Sequence, residues 1–173
     1  MIKNETIKTI ETRRSIRKYK DTPITDEELQ TILECGKCAP SAMNKQSSLF
    51  VVVKSEDILQ EIYNITEKYF PFSKPYFYGA KTIVIVFGDS NCHLAIEDGS
   101  LALENMFLAA KSLNIGSCWI NYLRELFKTK EGQLLQKKMN IDPKYFVVGT
   151  AIFGYPEEDP KMKPRKEDYI RKL

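Results

Sequence analysis

Histidine and tryptophan occur once each among these 173 residues, and no apolar run is long enough to cross a bilayer. The lone His93 reads as a structural or solvated residue rather than a general base. Net charge is only +3, too mild for a nucleic-acid surface. The N-terminus, with Lys3, Asn4 and Glu5, has no apolar signal core. No glycine-rich dinucleotide fingerprint follows a predicted strand, so a bound dinucleotide would have no Rossmann module of its own. Four cysteines lack the spacing of a disulfide scaffold, which makes a reduced, cytoplasmic protein the simplest reading. Cys35-Gly36-Lys37-Cys38 is a CxxC at a predicted helix end, but no second pair accompanies it, and Cys92 and Cys118 stand apart. No metal site is expected; the pair reads as helix packing, with a redox dithiol as the alternative. With no repeat and no linker, one domain over 1–173 is expected.

What is present follows a regular order. Apolar Ile7 and Ile10 predict a helix over 4–13. Thr25 with Glu28 is a capping-box signature for a helix through Leu29, Ile32 and Leu33 to about Cys38, ended by Pro40. Leu49–Val53 is a short β-branched run and predicts a buried strand. Ser55 caps a helix containing Ile58, Leu59, Ile62 and Tyr63. Residues 69–79 are rich in aromatics and proline, either a flap over a pocket or a self-packed loop. Thr82–Phe87 predicts a second buried strand. A long helix reaches about Leu113, with Leu101, Leu103, Met106, Phe107 and Ala110 inward and Asn114 or Gly116 at its end. Ser117–Ile120 predicts a short strand, Thr129 opens a helix, and Phe146–Phe153 predicts a last strand. The tail 156–173 is polar, with little apolar content to pack alone.

Four segments could carry chemistry. Arg13-Arg14-Ser15-Ile16-Arg17 gathers three guanidiniums and a hydroxyl, which suits phosphate oxygens or a solvated helix end. Pro40-Ser41-Ala42-Met43-Asn44-Lys45-Gln46 offers amides that match the edge of a heterocycle, or forms a polar turn. Gly116-Ser117-Cys118-Trp119-Ile120-Asn121 could present backbone N–H groups to a ligand, or be a core strand. Lys163-Pro164-Arg165 places two cations on one side of an extended segment, as a phosphate clamp or a solvated tail.

Taken in this order, the segments resemble the signatures of the nitroreductase family of flavoproteins, in its compact short-chain subgroup. Arg13 to Tyr19 is similar to the Arg-Arg-Ser-x-Arg-x-aromatic run. Ala39, Pro40, Ser41, Asn44 and Gln46 match Ala-Pro-Ser-x-x-Asn-x-Gln. Leu108-Ala109-Ala110 with Gly116 to Ile120 resembles the helix followed by Gly-Ser-Cys-Trp-Ile. Gly154-Tyr155-Pro156 leads into Lys163 and Arg165 as the family's last motif does.

The resemblance implies an α+β sandwich with a mostly antiparallel sheet flanked by helices. It implies an intertwined homodimer with FMN at each of two interfaces. Arg13, Arg14, Ser15 and Arg17 would hold the phosphate and pyrimidine side, joined by Lys163 and Arg165. Pro40, Ser41, Ala42 and Asn44, with Gln46, would reach the flavin from the partner. Trp119, Ile120 and Asn121 would bring a backbone N–H to the flavin N5, and the tail would extend over the partner. Flavin N5 would carry the reaction, so no side chain is assigned as catalytic. NADH or NADPH would be the transient donor, and nitroaromatics, quinones or similar electron-poor small molecules the acceptor, in ping-pong order. Arg17, whose charge is permanent, is the candidate to stabilise the anionic reduced flavin. Neither nucleic acid nor membrane is an expected partner. Ser47-Ser48 replace the family's Pro-Trp, suggesting a more open pocket wall, and Asn121 replaces a Gly. Lys74 and Lys81 are candidates for a further cation near the flavin. These departures leave a non-catalytic FMN carrier or sensor as the alternative.

Overall fold

Asn4 caps the first helix, α1 (Glu5–Thr12), accepting a hydrogen bond from the Ile7 N–H at 2.9 Å. The computed structural model describes residues 2–73 and 75–173; Lys74 lies outside them. Thr25 and Glu28 complete the expected capping box on α2 (Asp26–Lys37). Then follow β1 (Ser48–Val53), α3 (Glu56–Tyr69), β2 (Thr82–Asp89), α4 (Ala95–Ser112), β3 (Gly116–Ile120), α5 (Leu123–Leu126), α6 (Lys130–Lys138) and β4 (Tyr145–Gly154). The strands form one sheet in the order β1-β2-β4-β3, with every neighbouring pair antiparallel.

Alternation along β2 sends Ile83, Ile85 and Phe87 to one face and Val84 and Val86 to the other. The first face packs on α3, α5 and α6 through Ile62, Leu123, Leu126 and Leu135. The second packs on α4 and α2 through Leu103, Met106, Phe107 and Ile32. Both faces of β2 are therefore dry, which explains its continuous apolar run. The α+β sandwich expected from the sequence is the fold observed.

Some details differ from expectation. Strand β1 is half-buried along most of its length, because it pairs only with β2 and leaves its other edge open. Leu101 is 47% exposed: it lies on the side of α4 turned away from both α2 and the sheet. Helix α1 buries none of its residues, and Ile10 is exposed. Helix α5 was not anticipated, since four residues are too few for a periodicity to show. Asn114, rather than Gly116, ends α4 in the left-handed region at φ 58°, and the Ile115 N–H closes the helix on the Ala110 carbonyl at 2.8 Å.

Gly132 sits where α6 crosses the end of α5. A Cβ there would lie 2.1 Å from the Leu126 carbonyl oxygen, a backbone atom that cannot step aside. Alanine is the better helix former by about 1 kcal/mol, but the clash outweighs that gain. Gly132→Ala should lose on the order of 1–3 kcal/mol, read as a lower urea midpoint; an unchanged or raised midpoint would contradict the packing described.

Candidate functional site

Residues 15–20 are laid along the free edge of β3 and the exit of β4. Ser15 bridges to Ser117, and the Ile16 N–H donates to the Ser117 carbonyl at 2.9 Å. Further along, the Lys20 N–H donates to the Tyr155 carbonyl, and the Glu157 N–H to the Lys18 carbonyl, both at 2.9 Å. Two glycines make the close approach possible. A Cβ on Gly116 would meet Ile16 at 2.9 Å, and one on Gly154 would meet Tyr19 at 2.8 Å. The first and third sequence segments and the start of the tail thus converge through backbone contacts.

The cations of this segment diverge in role. The Arg13 Nε lies 3.4 Å from a Glu104 carboxylate oxygen, and its guanidinium stands 5.7 Å from the centre of the Phe107 ring. Arg14 turns back to α1, donating to the Glu11 carbonyl at 2.7 Å, while its Nε is buried without a partner among the described residues. Arg17 lies over the Tyr78 ring at 5.8 Å, and its backbone N–H donates to the Glu158 carboxylate. Arg13 and Arg14, with Lys111, line a cavity of about 120 Å³ closed by Ser117, Glu158 and Asp159. That volume takes a phosphoryl group, whereas whole small molecules occupy pockets of roughly 300–1,000 Å³.

Cys118 lies between Ser15 and Arg17. Burial pushes its thiol up, against the pull of Arg17 and a hydrogen bond from Ser15, so it stays protonated at neutral pH and is no nucleophile. Trp119 packs edge-on to Phe107 with ring centres 6.4 Å apart, and its Nε1–H donates to the Asn121 side-chain oxygen at 3.4 Å. Ile120 is buried; Asn121 is exposed.

The segment 40–46 is elsewhere. It enters β1 at Ser47, whose carbonyl accepts from the Asp89 N–H, and β1 begins where Ser48 faces Gly88 and Gly88 faces Phe146. The Arg13–Tyr19 segment lies instead beside Gly154. Eight residue steps of β4, from Phe146 to Gly154, separate these ends. At about 3.4 Å per residue that is roughly 25–30 Å. Pro40, Met43, Asn44 and Gln46 are exposed, Ser41 and Ala42 half-buried. A groove of about 1120 Å³ between α6 and the start of β4, lined by Phe127, Ile141, Tyr145 and Phe146, is at this same end and holds none of the expected site residues.

Lys163 and Arg165 are exposed and form no ion pair among the described residues; only the tail's first residues reach the Arg17 region. Lys81 is engaged with Asp21 at 2.9 Å. The 69–79 segment forms two short turns. Phe77 is buried, 5.8 Å from Tyr122 ring to ring, while Tyr78 faces Arg17. Its rings pack on Tyr63 of α3 and on Tyr122, outside the segment, and it also borders the cationic segment. Ser47 is no open wall: it is buried, and its hydroxyl donates to Asp98 at 2.6 Å. Nothing in the sequence marked Asp98, and Tyr78 stood out only as one aromatic of the 69–79 segment. An acidic residue in a helix's first turn reads as a dipole partner.

The sequence profile of the nitroreductase family matches residues 10–155. The chain belongs to the nitroreductase family. A nitroreductase from Bacteroides fragilis, solved with bound FMN, superposes with a TM-score of 0.89 at 32% identity, covering 99% of this chain and 100% of that one. One from Desulfitobacterium hafniense, also with bound FMN, gives 0.89 at 26% identity, with coverage of 99% and 100%. A protein of Archaeoglobus fulgidus, provisionally named NADH dehydrogenase/NAD(P)H nitroreductase, is 33% identical over 161 residues, 90% of this chain and 87% of its own length. In this nitroreductase-family chain, the family's motifs thus fall at two separated ends of one sheet.

Tyr19 makes the cationic end sensitive to alkali. Burial raises its phenol well above the ordinary value, and its O–H donates to the Ile16 carbonyl at 2.6 Å. The native state then keeps a proton that the unfolded chain loses near pH 10, about the free phenol value. The stability it contributes is complete below that pH and drains as pH rises beyond it. Tyr122, also raised by burial, adds to the same trend. Tyr19→Phe should cost about 1 kcal/mol at neutral pH and show a shallower alkaline decline in urea unfolding. A wild-type-like decline in that variant would contradict the assignment.

Proposed function

We propose that the chain is an FMN-dependent oxidoreductase, taking reducing equivalents from NADH or NADPH and passing them to electron-poor small molecules such as nitroaromatics or quinones. The observation that carries this reading is the cationic cavity beside β3, in a chain whose relatives include FMN-bound nitroreductases. The donor set fits the cofactor. Three cations against two carboxylates surround a phosphoryl-sized space, and one buried guanidinium nitrogen there lacks a partner among the described residues. Bound FMN would supply hydride and electron transfer.

The chain's own residues bind and orient. Arg13, Arg14 and Ser15 hold the phosphoryl end, with Lys163 and Arg165 available from the extended tail. Arg17, permanently charged, stands beside the pyrimidine side and favours negative charge there. The backbone at Ile120 and Asn121 offers an N–H to the ring. The segment Pro40 to Gln46 is anchored at the far end of β4 from the arginine segment. It serves a second copy instead, and the working unit is a homodimer with two sites over a single 1–173 domain. Donor and acceptor visit one exposed approach in turn, which is the ping-pong order. His93 is exposed and takes no part.

Two measurements test this. The purified protein should be yellow and bleach on adding NADH or NADPH, then recolour with a quinone; FMN that stays oxidised would favour the carrier or sensor reading. Arg13→Ala should weaken FMN retention by about 1.5–3 kcal/mol, measured by quenching of flavin fluorescence, and an unchanged affinity would remove Arg13 from the site.

A further inference from the structure

The segment Ala42–Gln46 holds an unusual backbone. Met43, Asn44 and Gln46 all adopt positive φ, at 51°, 54° and 49°, though none is glycine. Such conformations persist only where the surroundings over-determine them. Contacts within the segment are local: the Asn44 N–H donates to the Ser41 carbonyl at 2.9 Å, and the Gln46 N–H to the Ser41 hydroxyl at 3.0 Å. These shape the loop but do not attach it to the body.

Beyond the Asp89 N–H on the Ser47 carbonyl, side-chain attachment comes from one carboxylate. Asp98 is only 5% exposed, in the first turn of α4. One oxygen accepts the Ala42 N–H at 2.8 Å, and the other accepts the Ser47 hydroxyl at 2.6 Å. The two ends of the strained loop are therefore gripped by the two oxygens of one side chain. Asp98 has no cationic partner among the described residues, so these hydrogen bonds and the α4 N-terminus carry its burial. It cannot drift, because Gly99 next to it lets α4 sit tightly on Val148. Met43, at the apex, is 77% exposed and projects from the body.

We propose that Asp98 is a positioning residue that acts in trans: it clamps the 42–47 loop so that the loop is preformed for the FMN site of the second copy. This rests on the dimeric FMN reading above. Asp98 itself touches no cofactor. Its replacement harms the partner's site and leaves the cationic half-site of its own chain intact.

The test uses Asp98→Ala, Asp98→Asn and Ser47→Ala in the full chain. Asparagine keeps an acceptor for Ala42 and a polar group for Ser47, so it should rescue. Without flavin, trypsin cleavage after the exposed Lys45 should accelerate about tenfold in Asp98→Ala, stay within about twofold of wild type in Asp98→Asn, and fall between in Ser47→Ala. FMN affinity should weaken in the same order. A mixed dimer of one Asp98→Ala chain with one Arg13→Ala chain should then recover one site of wild-type affinity, because both defects fall on the other site. A merely structural lesion would damage its own chain's half-site and give no such recovery. Wild-type cleavage in Asp98→Ala, or a mixed dimer with no wild-type site, overturns the proposal. Unchanged FMN affinity in Arg13→Ala alone would instead indict the FMN reading, and the flavin-free cleavage would still judge the clamp. Should Asp98→Ala not fold, Ser47→Ala takes its place in both arms.

Discussion

One strand sets the distance on which everything else depends. β4 runs the length of the sheet between β2 and β3, and its two ends carry different chemistry. At the Gly154 end, the arginine segment is sewn to β3 and to the start of the tail by backbone hydrogen bonds. At the Phe146 end, the amide-bearing loop leaves the sheet under the grip of Asp98. Neither end can bend to the other, because β4 is buried on both faces over most of its length and paired on both edges.

Under the proposed function, a chain built this way divides a mononucleotide site between its two poles. The division also gives a reason for features that look wasteful in isolation. Helix α1 buries nothing, Leu101 shows its side chain to water, and the tail exposes Met162, Tyr169, Ile170 and Leu173. Apolar surface left open in several places is what a second copy would cover. The loop's positive-φ residues, costly on a free surface, become useful if they are held ready for that copy.

Much of the fold was legible in the sequence, for identifiable reasons. The capping box at Thr25 and Glu28, the N-caps at Ser55 and Thr129, and the β-branched run of β2 are local signals that tertiary structure did not overrule. What the sequence hid depends on neighbours. Whether β1 is central or at an edge is decided by pairing, not by composition, and the same holds for the outward turn of Leu101. The arginine segment was visible as chemistry, yet its division of labour was not. Arg14 returns to α1 while Arg17 lies on Tyr78, and only the packed chain separates them. Ser47 read as a lost pocket wall and is in fact an anchor, because its hydroxyl meets a carboxylate 51 positions away.

The division of the site between two copies is tested most directly by sedimentation velocity followed at the flavin's visible absorption, over a dilution series. All bound FMN should travel with the species of twice the chain mass, and the flavin should be released in step as dilution splits that species. FMN sedimenting at full affinity with the single chain would contradict the account.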